Sequence, residues 1–158
     1  MIAIAAQEDG TGIGRIRMNI IPDASASSLM AFLAETVEPR STIHTDGWLG
    51  YQPAQSKGYV HRVTFLKGKE ESPSTLMPRV HRIASLLKRW ILGTHQGAVS
   101  HEHLAYYLDE FTFRFNRRRS RNRGKLFYRL VQQAVMVEPA PYKSLVRCFA
   151  AAEGDHNI

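Results

Sequence analysis

The residues 44–51, "HTDGWLGY", set one carboxylate, Asp46, between a strand-like run and a glycine-broken turn. Two chemistries fit it. A carboxylate at the carboxyl end of a strand is where α/β sheets gather ligands, so Asp46 is a candidate divalent-metal ligand. Asp-Gly is also an ordinary turn pair, in which the side chain only caps its own backbone. Thirty-five positions downstream stands His81, and seven further on Lys88. Positions i, i+4 and i+7 share one helix face, so His81, Ser85 and Lys88 line one side of a helix. An imidazole near its start and an ammonium two turns along can address a phosphate backbone. Taken singly, His81 reads equally well as a partly exposed histidine on a helix end.

The charge distribution favours a polyanionic partner. Net charge is +7. Seven Lys and Arg fall within residues 114–125, "RFNRRRSRNRGK", which contain no acid. The other fourteen basic residues balance the fourteen acids. A local cationic block on a neutral body binds nucleic acid by releasing counterions from neutralised phosphates, although a solvated charged face is the plain alternative. No apolar run is long enough to span a membrane. The opening "MIAIAA" reads as a strand and not as a signal peptide, and Cys148 is the only cysteine, so a cytoplasmic protein is expected.

These residues need elements to hold them. Strands are expected at 2–7, 15–21, 42–45 and 59–65, the first two as a hairpin around "EDGTGIG". Asp23 or Ser25 caps a helix at 25–37, and Asp23 reads as a cap before it reads as an acid catalyst. Residues 67–76 read as a polar loop. Helices follow at 79–92, ended by Gly93, at 101–117, capped by Ser100, and at 125–137 with Leu126, Leu130, Val131 and Ala134 inward. Residues 147–158 read as a loose tail. Strands first and helices later give one α/β or α+β domain over 1–146.

Other chemistries fit poorly. His101-x-His103 points its two rings to different sides of a helix. There is no glycine-rich loop leading into a Lys-Ser/Thr pair, and no nucleophile-elbow pattern.

The segments "STIHTDGWLGY", "GYVHRVTF", "VHRIASLLKRWILGTHQGAVSHEHLAYYLDEFTFRFNRR" and "GKLFYRLVQQAV" resemble the ISXO-like branch of bacterial insertion-sequence DDE transposases. The likeness runs from about residue 2 to residue 146. It implies an RNase H-like mixed sheet with helices on its faces and a helical C-terminal part. It also implies Mg²⁺ or Mn²⁺ held by three acids for in-line attack on phosphodiester bonds. On the matching motifs Asp46 takes the second acid's place and Lys88 that of a basic residue expected on DNA phosphate. Asn116 and the arginines after it take the family's "FNRR" segment. The resemblance further implies insertion-element terminal repeats as the DNA and a homo-oligomer on paired ends. The expected DNA contacts are Arg82, Lys88, Arg89, Arg114, Asn116, Arg117, Arg118, Arg119, Arg121, Arg123 and Lys125.

The chain departs from the pattern twice. The third acid's slot holds His81, and imidazole binds Mn²⁺ or Zn²⁺ better than Mg²⁺. The first acid belongs to a central strand preceding the hairpin, whereas this sequence opens at the hairpin with Glu8 and Asp9 in a turn. The expected metal ligands are thus Asp46 and His81 alone, in a truncated domain whose central first strand is missing. Three readings follow: a transposase fragment inactive by itself, a DNA-binding module that does not cleave, and a remnant without activity.

Overall fold

The computed structural model of the chain describes residues 1–65, 72–97, 99–139 and 141–142. It divides into two compact units, Met1–Arg118 and Arg119–Ile158. Residues 67–71 of the expected loop at 67–76, the tail at 147–158 and Cys148 lie outside the described residues, and Pro73–Leu76 of that expected loop is a short helix.

The first unit begins with a hairpin of β1 (Ile2–Asp9) and β2 (Gly12–Ile20), paired from Ile2↔Ile20 to Asp9↔Gly12. Its turn is therefore only Gly10-Thr11. Gly10 has φ +55°, a conformation that glycine adopts without Cβ strain. This corrects the expected turn: Glu8 and Asp9 are strand residues. Between the pairs Ala6↔Ile16 and Glu8↔Ile13 the register shifts, so that Gly14 and Arg15 of β2 stand opposite the single Gln7. Gln7 then accepts the Arg15 backbone N–H through Oε1 at 3.1 Å, and its side chain lies where a Cβ on Gly14 would stand.

Next come α1 (Ala26–Thr36), β3 (Thr42–Thr45), a 3₁₀ helix (Leu49–Ala54) and β4 (Val60–Val63). Ser25 is the N-cap of α1, its Oγ accepting from the Ser28 N–H. Asp23 stands just upstream and accepts from the Ser25 N–H at 3.0 Å and the Ser28 hydroxyl at 2.7 Å. These bonds hold its carboxyl below the usual value of 3.8. β3 and β4 pair in parallel from Thr42↔Val60 to Thr45↔Val63.

One mixed sheet was the expected arrangement. The described strands instead form two separate pairs, β1-β2 and β3-β4, because none of them pairs with both β1 and β3. The class is nonetheless mixed α/β. α1 underlies both pairs. Its Leu29 and Phe32 pack with Ala3 and Ile21 of the hairpin region, and Leu33 packs with Ile43 of β3. Met30 and Tyr51 flank both clusters.

The short α2 (Pro73–Leu76) precedes α3 (Pro78–Thr94) and α4 (Leu104–Asn116). The predicted apolar stripes of α3 and α4 meet the hairpin. Ile83, Leu87, Leu108 and Phe111 pack with Ile13, Ile16 and Met18, and Ile16, Ile83 and Leu108 are fully buried. Gly93 does not end α3. The helix runs on to Thr94, where Gln96 and Gly97 take positive φ and the Gly97 N–H returns to the Ile91 carbonyl at 3.1 Å. α4 starts at Leu104 and not at 101, since Ser100 caps the preceding turn through His103. At its far side Trp90, His95 and Tyr107 meet edge-on and Phe111 tilts against Trp90, joining α3 to α4.

In the second unit, α5 (Arg123–Ala134) is capped by Asn122, whose side chain accepts the Lys125 N–H. Leu130 and Val131, expected to face inward, are exposed, because no second described helix of that unit covers them.

Candidate functional site

β3 ends at Thr45 and delivers Asp46 to the surface. Asp46 Oδ1 accepts the Trp48 backbone N–H at 3.2 Å, which is the Asx-turn geometry. Gly47 carries φ +82°, and a Cβ there would stand 2.7 Å from the Phe65 ring, so glycine is required on both counts. Beneath the turn, buried Thr45 shares a hydrogen bond with His61 at 2.8 Å. The Tyr51 phenol titrates above its usual 10.0, first because burial disfavours phenolate and then because the Asp46 charge opposes a second anion.

His81 lies half-buried in the first turn of α3, and Lys88 is exposed two turns along, with Arg82 and Arg89 also exposed. No ion pair joins Asp46 to His81 among the described residues. Nor, among those residues, do three or more His, Cys, Asp and Glu side chains gather as a metal ion would require. Among the described residues the donors therefore do not make up a metal centre. One carboxylate and one imidazole fall short of the oxygen-rich shell that Mg²⁺ takes.

At the C-terminus of α4 the structure gives the "FNRR" segment specific work. Asn116 holds both backbone groups of Ile16: its Oδ1 accepts the N–H at 2.7 Å and its Nδ2 donates to the carbonyl at 3.0 Å. Arg118 lies over the Phe115 ring and donates to the carbonyls of Ile13 and Gly14. Arg117 lies over Phe113, and Arg114 pairs with Glu110 at 2.7 Å. In the second unit Arg119, Arg121 and Lys125 are exposed, and the Arg123 side chain lies outside the described part.

Sequence reasoning missed a third group. Glu8 Oε1 lies 3.0 Å from Arg79 Nη1, 3.5 Å from Arg62 Nη2 and 3.8 Å from His44 Nδ1. These residues line a cleft of about 430 Å³ together with Thr64 and residues 76–80. Arg62 also donates to His44 Nδ1 at 3.0 Å, which makes that nitrogen the acceptor and leaves Nε2–H to donate to Thr64 Oγ1 at 2.7 Å. The alternation of "YVHRVTF" placed Arg62 and Thr64 on one face of their strand, and that was the only sequence signal for this cleft.

The ISXO2-like transposase domain family matches residues 1–116, and the chain belongs to that family. No curated protein and no solved structure matches the chain. Among the described residues no helix is long and apolar enough to cross a membrane.

Proposed function

We propose that the chain is part of an RNase H-like DDE transposase catalytic domain that engages insertion-element DNA and does not cleave it unaided. The observation that carries this reading is the divided sheet. An antiparallel hairpin and a parallel pair rest on one helix, with no described strand between β1 and β3. That is the arrangement expected when the central strand bearing the first acid is not among the strands described.

On this reading Asp46 and His81 stand at positions where the family holds Mg²⁺ or Mn²⁺, and with no cluster of three donors among the described residues they do not hold the ion by themselves. The chain's own residues hold the DNA. Lys88 and Arg89 on α3, with Arg82, present cations along one exposed flank, and Arg121 and Lys125 of the second unit are exposed as well. Arginine grips phosphate with two parallel donors, and lysine acts as a point charge.

The test is a pair of assays on terminal-repeat duplex. Binding should occur at low salt and weaken steeply as salt rises. Nicking in Mn²⁺ should be absent. Nicking by this chain that Asp46→Asn abolishes would overturn the claim of inactivity. Absence of binding at low salt would overturn DNA engagement. A solution homo-oligomer on paired ends belongs to the same proposal, and sedimentation with and without DNA reads it.

A further inference from the structure

We infer that the cleft between β1, β4 and the start of α3 is an oxyanion site for a DNA backbone phosphate, and that Glu8 is its internal occupant. Three features carry this. First, two donors converge on one acceptor. Arg62 and Arg79 both approach the same oxygen, Glu8 Oε1, while His44 Nδ1 accepts from Arg62 beside them. Two guanidiniums against one carboxylate leave a net positive charge. A phosphate, with more oxygens and more charge, could take both arginines on separate atoms.

Second, one arginine is fixed in advance. Arg79 Nε donates to the Gly12 carbonyl at 3.0 Å and Nη2 to the Gly10 carbonyl at 2.6 Å. Only Nη1 faces Glu8, so Arg79 enters the cleft with its orientation already set and little further entropy to lose. Third, the cleft is open and supplies another donor. Arg62 and Glu8 are each about half exposed, at 56% and 46% of their side-chain surface. Thr64 Oγ1 accepts from His44, which leaves its own hydroxyl hydrogen to donate. Displacing Glu8 needs only a side-chain rotation at the end of β1.

The site depends on the DNA reading above solely for what carries the phosphate. The test therefore begins with inorganic phosphate on the full chain, followed by the His44 ring resonances at constant ionic strength. Phosphate should shift them and chloride should not. Glu8→Gln keeps the shape and removes the competing charge, so phosphate affinity should rise about tenfold. Arg62 is exposed and, among the described residues, bonds through its side chain to Glu8 and His44. Arg62→Gln added to Glu8→Gln should therefore erase the gain without unfolding the chain. A His44 resonance indifferent to phosphate, or a Glu8→Gln variant with no gain, overturns the site. A gain for inorganic phosphate with none for a short duplex overturns its assignment to DNA. Neither result bears on nicking, so the two proposals fail separately.

Discussion

Asn116 shows how one side chain can tie two elements together. Its amide satisfies the N–H and C=O of Ile16, a fully buried residue in the middle of β2, from a point 100 positions away. Asn116→Ala would strand both groups, each costing about 1–3 kcal/mol. Urea unfolding should show a loss of about 2–6 kcal/mol on the same basis. A variant within about 0.5 kcal/mol of the parent, the range of ordinary surface changes, would mean that water replaces the amide. A second residue-scale prediction concerns Tyr51. Its raised value means that the folded state holds the phenolic proton more tightly than the unfolded chain does. The associated stability is complete below the unfolded value near 10.0 and is lost as pH rises through the folded one. Asp46→Asn removes the smaller of the two causes. The tyrosinate absorbance transition should then move partway down, with the burial contribution intact. An unmoved transition would place the Asp46 charge too far from Tyr51 to matter.

At the scale of the element, α1 depends on Asp23 and Ser25 at its start. The Asp23 carboxyl is depressed by bonds from Ser25 and Ser28, so its contribution is present above 3.8 and is lost as pH falls through the lower folded value. Asp23→Ala should flatten the acid limb of the stability profile and speed amide exchange in the first turn of α1. An unchanged acid limb would locate acid sensitivity elsewhere. The helices were largely legible in the sequence. α3 and α4 bury one face only, so their 3.6-residue periods alone single out Ile83, Leu87, Leu108 and Phe111. The hairpin turn was not legible. Asp9-Gly10 looked like its centre, and nothing local distinguishes a two-residue turn from a longer one that also takes in Glu8. The Asp46 turn was legible because all its chemistry lies within three residues. The Glu8 cleft was not, because it joins residues 54 and 71 positions apart. Such a juxtaposition follows from topology, and periodicity does not encode it.

At the scale of the whole molecule, the basic block straddles the boundary between the two units. Its members differ in what already occupies them. Arg114, Arg117 and Arg118 are engaged with an acid, a ring and the β2 backbone, whereas Arg121 and Lys125 are exposed in the second unit. Replacing Arg121 and Lys125 with Gln should reduce the slope of log affinity against log salt by about 0.9 for each duplex phosphate that is no longer neutralised. Thermal stability should stay the same. Arg118→Gln should do the reverse, lowering the melting temperature more than the slope. Identical effects from the two sets would mean that the block acts as one undivided charge.

The chain's two indoles stand in contrasting places. Trp48 is about half exposed on the Asp46 turn, whereas Trp90 is wedged against His95, Tyr107 and Phe111 where α3 meets α4. Their emission should therefore separate by wavelength, the solvated indole to the red and the enclosed one to the blue. One spectrum then carries two optical channels, so quenching by an added ion or oligonucleotide at the loop can be told from loosening of the helix pair.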